Sequence, residues 1–264
     1  VLSKQIESIK PDVIINFDLN LLPEGFFSEI KIHYGLLIGQ HAATPLNEHR
    51  GWTEYDLMLS SFKPTVDWFL SKSVATKYFR LGFDVDIADS LVKIKKDIAV
   101  SFIGSFSNIH SSRLQLLEAV ASEVDLQIWG PYNDNLDNYP QIYKSWKGEA
   151  WGKEMYEIIA RSRITLNHHG EILPYANNLR LYESTGLGTL LLTDNLPGLS
   201  NKFEIGKEIL AYRNADECID YIKAYLEDDK QRESISLNGQ IRTKSSHNYL
   251  NIMQELTEIV SNQL

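Results

Sequence analysis

Short apolar runs that end in polar residues restrict this chain more than any other feature. Val13-Ile-Ile-Asn-Phe-Asp18, Leu36-Leu-Ile-Gly-Gln-His41 and Leu57-Met-Leu-Ser60 come first. None alternates apolar with polar residues, which is the pattern of parallel strands buried on both faces. Pro64 to Leu70 and Val74 to Arg80 read as helices, the second closed by Gly82 in a C-cap-like position. A second series follows: Ile98-Ala-Val-Ser-Phe-Ile103, Leu126-Gln-Ile-Trp129, Ile164-Thr-Leu-Asn167, Thr189-Leu-Leu-Leu-Thr193 and Glu208-Ile-Leu-Ala-Tyr212. Helical patterns at Ser111 to Ser122, Lys153 to Arg161, Asn178 to Thr185 and Ala215 to Leu226 separate these runs.

Such alternation is an α/β chain with parallel sheets. Five strands with crossovers make a complete doubly wound unit, whereas the first third holds about half of one. The expectation is two Rossmann-like domains, residues 1–92 and 93–264. Val1-Leu2-Ser3 opens the chain without an initiator methionine and leads almost at once into a strand pattern, so the first domain is expected to lack an upstream part. Residues from Gln231 to Leu264 read as helices lying on the outside of the sheet.

Composition narrows the function. The 264 residues are 43% hydrophobic and 23% charged, as in ordinary globular proteins. A net charge of -9 disfavours nucleic-acid binding, which needs clustered cations to displace counterions from phosphates. The lysines between Lys93 and Lys96 fit a solvated linker better than a binding groove. Cys218 is the one cysteine, which excludes an internal disulfide and fits a reducing compartment; the cytoplasm is expected. No apolar window approaches about 18 residues and no signal-peptide pattern opens the chain, so any membrane contact is expected to be peripheral, at the inner membrane face.

In open parallel sheets, ligands bind beyond the carboxyl ends of the strands. The residues there are Gly104-Ser105-Phe106-Ser107, Trp129-Gly130-Pro131, Asn167-His168-His169-Gly170 and Thr193-Asp194. Asn177 or Asn178 can cap the next helix, whose amides would attract a phosphate, with Arg180 adding charge. Arg180 and Glu183 share a helix face, and spacing alone fits a surface ion pair as well as a binding site. Gly186-Leu-Gly188 follows a helix and precedes a strand, the reverse of a dinucleotide fingerprint, so it reads as a helix end and turn. His168 and His169, taken as strand residues, would face opposite sides, one toward the cleft and one inward, so no metal pair is expected. Asp84-Val85-Asp86 resembles a metal-holding acid pair but reads as a loop. Esterase, P-loop and zinc-hydrolase motifs are missing.

Asn178-x-Arg180-x-Tyr-Glu183, followed by a small-Gly turn and Leu-Leu-Leu-Thr-Asp194, resembles the nucleotide-sugar-binding half of CgeB-like, group 1 glycosyltransferases. The likeness extends back through Phe102-Ile-Gly104-Ser with Arg113, Trp129-Gly130, Gly152 with Tyr156, and Leu166-Asn167-His168. It runs forward through Phe203-x-x-Gly206-x-Glu208, Asp216-Glu217, Tyr225 to Asp228, Gly239 and His247-x-Tyr249, covering residues 98 to about 250.

The resemblance implies the GT-B fold, two Rossmann-like domains facing a cleft, with the donor on the second domain and the acceptor on the first. It implies no cofactor and no metal, because helix amides and basic side chains neutralise the leaving diphosphate. Carried over by position, Glu183 would hold the ribose and Arg180 the diphosphate. The amides at Asn177, Asn178 and Leu179 would face phosphates or sugar, Gly104 and Ser105 would border them, and Trp129 and Gly130 would lie near the base. Arg113, Asn167 and His168 complete the expected donor set. Where many relatives carry a second glutamate this chain has Tyr175, so sugar positioning would pass to His168, His169 or Glu171. If the reaction inverts, a general base would come from the first domain, His41 before Asp18. The expected partners are a nucleoside-diphosphate-sugar and a hydroxyl acceptor on a surface glycan or glycoprotein. A non-catalytic sugar-nucleotide-binding module and a sugar-nucleotide epimerase are the competing readings.

Overall fold

The structure is a computed structural model that describes residues 1–42, 50–91, 94–106, 111–171 and 174–264. It divides into two compact units, Val1–Arg80 with Ile252–Leu264, and Leu81–Asn251.

In the first unit, α1 (Leu2–Ile9) leads into β1 (Val13–Asn16). The chain therefore enters on a helix, not on a strand. There follow α2 (Phe26–Glu29), β2 (Leu36–Gln40), β3 (Leu57–Ser60), α3 (Lys63–Ser71) and β4 (Thr76–Tyr78). The strands are parallel in the order β1-β2-β3-β4. Leu37 and Met58 pack on one face with Ile6, Phe27 and Phe69. Leu36, Ile38, Leu57 and Leu59 pack on the other with Leu256, Ile259 and Val260 from the chain's end. Burial on both faces explains why these runs are apolar without alternation.

The helix expected over Val74 to Arg80 is a strand. Ser73 adopts φ 61, which reverses the chain after α3, and Thr76 to Tyr78 pair in register with Met58 to Ser60. β-branched Thr76 and aromatic Tyr78 suit that pleated edge, and Gly82 closes no helix.

The second unit begins with α4 (Val85–Ser90), β5 (Ile98–Ile103), α5 (Ser111–Glu123), β6 (Leu126–Trp129), α6 (Pro140–Ser145) and α7 (Gly152–Arg161). It continues through β7 (Ser162–Leu166), α8 (Arg180–Gly186), β8 (Leu190–Asp194), β9 (Leu210–Tyr212), α9 (Ala215–Glu227), α10 (Asp229–Ser246) and the start of α11 (Tyr249–Ser261). All five strands are parallel, in the order β6-β5-β7-β8-β9. One core, with Val100, Leu117, Ile128 and Leu192, lies on one side of this sheet, and another, with Ile159, Leu181, Tyr182 and Leu191, on the other.

The unit starts at Leu81 instead of residue 93, because Leu81, Phe83, Ile87, Ala88 and Leu91 pack into that second core. The terminal helices divide as well: α10 packs on α8 and β8, whereas Ile252 onward belongs to the first unit. Asp84 is no loop acid; its carboxylate caps α4 by accepting from Asp86 N at 3.0 Å. Lys96 is not a solvated linker residue. Its ammonium donates to Ala160 O, Ser162 O and Thr189 Oγ1, and burial lowers its pKa to about 8. Lys93 lies outside the described residues.

α8 ends as its glycines suggest, with Gly188 at φ 68 turning the chain into β8, which is buried along its whole length. Gly186 is required for a different reason. A Cβ there would stand 2.3 Å from Phe83 Cδ1.

Candidate functional site

Among the described residues, two cavities open where β5, β7, β8 and β9 end. The first, about 300 Å³, is bordered by the exits of β5 and β7 and the start of α8. It brings together Gly104, Arg113, Asn167, His168, Asn178, Leu179, Arg180 and Glu183 of the expected donor set, with Phe102 and Ile103.

α8 supplies the charged pair. Arg180 Nη1 lies 2.8 Å from Glu183 Oε2, with the two side chains only 12% and 9% exposed. This is a buried ion pair on the cavity wall, not a surface pair. Arg180 Nη2 also reaches Ile103 O at 3.3 Å and Met155 Sδ at 3.4 Å. Burial pushes the Glu183 carboxyl up, with Arg180 opposing the rise, and it pushes the Arg180 guanidinium down, with Glu183 opposing the fall.

The asparagines do not cap α8. Leu179 holds the N-cap position, with helical φ and ψ and no side-chain cap. Asn178 Nδ2 instead donates to Asn167 Oδ1, and Asn167 Nδ2 donates to Thr193 Oγ1, which ties the cavity loop to the exits of β7 and β8. Arg113, from α5, works in a similar way. Its Nη1 donates to Ser105 O at 3.1 Å and its Nη2 to His168 O at 2.8 Å, so its fork holds two loops together while it lines the cavity. Burial lowers its pKa to about 10.

Four expected donor residues lie elsewhere. Trp129 packs its indole in the core, and the Gly130 amide donates to Gly148 O. Gly130 is nevertheless indispensable locally, since a Cβ would fall 2.0 Å from Gly104 O where the exits of β5 and β6 touch. Ser105 takes part through its carbonyl, and Asn177 is not on the cavity wall. Ser107 is outside the described residues. Tyr175 packs against Gly198, and Lys202 Nζ stands 5.0 Å from its ring centroid.

The second cavity, about 380 Å³, shares His168 with the first. The two histidines do not point to opposite sides, because they follow β7 instead of lying in it. Both turn toward Asp194: His169 Nδ1 is 2.6 Å from Oδ1 and His168 Nδ1 3.9 Å from Oδ2. Burial raises the Asp194 carboxyl, but the hydrogen bonds and charge of His169 outweigh it and hold the group below its ordinary range. Tyr212 OH donates to Asn167 O and so accepts from His168 Nδ1 at 2.9 Å. That leaves His168 Nε2 as acceptor for Ser112 Oγ at 3.1 Å. Burial lowers the His168 pKa, which favours this neutral form. Ser112 and Tyr212 escape a motif search because neither belongs to a pattern; Tyr212 shows itself only as the last residue of an apolar run.

His41 and Asp18 lie in the first unit, just past the neighbouring parallel strands β2 and β1. The His41 amide donates to Leu59 O, and Asp18 is exposed, its Oδ1 accepting from Asn20 N.

The profile of the family described as glycosyl transferase-like matches residues 113–258, just over half of the chain, and takes in Arg113, both histidines and all of α8. The chain belongs to the glycosyl transferase-like family. No curated protein matches this transferase in sequence. Among solved structures, Anabaena HepE in complex with UDP is similar over 99% of this chain and 82% of its own, at 15% identity and a TM-score of 0.75. A glycosyltransferase from Rickettsia africae is similar over 99% and 79%, at 10% identity and a TM-score of 0.73. Sucrose-phosphate synthase from Thermosynechococcus elongatus matches over 95% and 73%, at 12% identity and a TM-score of 0.68. The two parallel sheets are thus the GT-B architecture, and the transferase moves a sugar from a nucleotide-sugar donor.

Proposed function

We propose that the transferase takes a uridine diphosphate sugar in the first cavity, through Arg180 and Glu183, and passes the sugar to a hydroxyl of a surface glycan or glycoprotein. The observation that carries this is the buried ion pair on the cavity wall. The two charges compensate each other across 2.8 Å. A donor offers both a substitute, its diphosphate to the guanidinium and its ribose hydroxyls to the carboxylate. Uracil as the base is supported by the UDP complex of Anabaena HepE.

As the bond between the sugar and the diphosphate breaks, negative charge grows on the leaving group. Arg180 is preorganised in a site of low polarity to receive it, where a fixed cation acts more strongly than in water. On this reading neither metal nor cofactor is required. If the transfer inverts the sugar's configuration, His41, with Asp18 as the alternative, removes the acceptor proton. The order of residues from Asn178 to Asp194 supports placement in the CgeB-like branch, and the protein works in the cytoplasm or peripherally at the inner membrane face.

A thermal-shift panel of UDP, GDP, dTDP, CDP and CMP tests the donor assignment, with UDP expected to raise the melting temperature most. Glu183→Ala should abolish that shift; full UDP binding by the variant removes the ribose role. Turnover should survive EDTA, and a loss restored by Mg²⁺ refutes the metal-free mechanism. His41→Ala that binds donor normally yet retains full turnover eliminates it as base.

A further inference from the structure

The segment that leads into α8 borders both cavities, the second through Pro174 and the first through Asn178 and Leu179. Tyr175 and Ala176 anchor it to the segment that follows β8. Ala176 is fully buried, and its amide donates to Pro197 O at 2.9 Å. A Cβ at Gly198 would stand 2.5 Å from Tyr175 Cζ, so the phenol rests directly on the backbone there. The Lys202 ammonium stands over the Tyr175 ring, 5.0 Å from its centroid.

The backbone of Lys202 is held from three sides. Its amide donates to Leu199 O at 2.9 Å, and its carbonyl accepts from Arg242 Nε at 3.2 Å and from His247 Nε2 at 3.0 Å. The ammonium pairs with no carboxylate among the described residues, and burial is the one influence that moves its pKa. A buried cation without a counter-ion costs stability, so stability does not account for this lysine. An ammonium shielded from water does gain from an aromatic face, through the quadrupole of the ring.

We propose that Lys202 and Tyr175 form a cation–π latch that holds the segment from Pro174 to Leu179 in place and thereby positions Arg180 and Glu183 for the donor. Neither residue lines the first cavity, so both are positioning residues. The latch rests on the assignment of the nucleotide to that cavity. The groups that face Lys202 are Tyr175 at its ammonium and Arg242 and His247 at its carbonyl. Burial lowers its pKa to about 8, so the latch is closed at neutral pH and opens as the pH rises through that value.

Calorimetry of UDP binding to the full chain between about pH 7 and 9.5 reads the latch, since the terminal phosphate of UDP, with a second pKa of about 6, is ionised throughout. Wild-type affinity should fall about three- to tenfold across that range. Lys202→Arg keeps a permanent cation over the ring, so it should bind within about twofold of the wild type at about pH 7 and lose the alkaline fall. Lys96, whose pKa is also about 8, is unchanged in that variant and cannot account for the difference. Lys202→Met should bind about three- to tenfold more weakly at about pH 7, with a flat profile, while its melting temperature rises. A lysine that served only the fold would move both readouts in the same direction. Tyr175→Leu should match the binding loss of Lys202→Met, with no further loss in the double variant, and these three proteins keep the test valid if Lys202→Arg fails to fold.

Full affinity in Lys202→Met overturns the proposal. So does a flat wild-type profile, an alkaline fall that persists in Lys202→Arg, or a double variant in which the single losses add. Failure of UDP to bind at any pH instead refutes the nucleotide assignment, and amide exchange then decides the latch by itself. Ala176 to Leu179 should exchange faster in Lys202→Met than in the wild type, and equal protection overturns the latch.

Discussion

A guanidinium and a carboxylate buried together on a cavity wall are costly to desolvate, and each depends on the other. In Glu183→Ala, Arg180 keeps its burial and loses its partner. Urea unfolding should show a loss of about 3–5 kcal/mol. Replacing both members, Arg180→Met with Glu183→Leu, should recover most of that stability without recovering UDP binding, which distinguishes a pair kept for recognition from one kept for the fold. The spacing of the two residues was legible in the sequence. Their burial was not, because it depends on Ile103 and Met155, distant in the chain, closing over the guanidinium.

Lys202 presents the opposite case, a lysine 5% exposed whose ammonium lies against the Tyr175 ring. Burial lowers its pKa from 10.5 to about 8. The unfolded chain therefore keeps this proton up to about 10.5 and the folded chain only up to about 8. The folded state is penalised below that window, and the penalty fades as pH rises through it. Lys202→Met should stabilise the protein at pH 7 by about 1–2 kcal/mol, less than the full shift because methionine loses the cation's contact with the Tyr175 ring. The difference between variant and wild type should shrink between pH 8 and 10.5, as read from unfolding free energies across that range.

Among the elements, α8 carries the pair and is seated by Gly186 against Phe83. Gly186→Ala should cost about 1–3 kcal/mol through overpacking and should also weaken UDP binding, since α8 must shift to admit the methyl group. Phe83→Leu in the same chain should restore part of both, measured by melting temperature and UDP affinity. Strand exits were readable because a parallel strand buried on both faces is an uninterrupted apolar run and its polar successor marks the edge, as Leu166 followed by Asn167 shows. Val74 to Arg80 was misread as a helix because a run so short has no decisive period, and pairing with β3 outweighs local preference. His168 and His169 were misread for a related reason: strand alternation no longer applies once the strand has ended.

For the whole molecule, the division into units has a direct consequence. Leu256, Ile259 and Val260 cover Leu36, Ile38, Leu57 and Leu59 within the first unit. Deleting residues 252–264 should raise amide exchange in β2 and β3 and lower the stability of that unit by about 3 kcal/mol or more. The second unit, with its own cores on both sides of its sheet, should still bind UDP.

The alternation of strand and helix, the polar residues at the strand exits and the shared face of Arg180 and Glu183 are local properties, and the sequence by itself determined them. Strand order, the strand at Thr76–Tyr78, the start of the second unit at Leu81 and the meeting of both histidines at Asp194 were decided only by the tertiary structure. Each depends on contacts between residues far apart in the chain. Periodicity reports what a segment buries, but not against which partner, and it is the partner that turned an arginine and a glutamate three residues apart into the wall of a cavity.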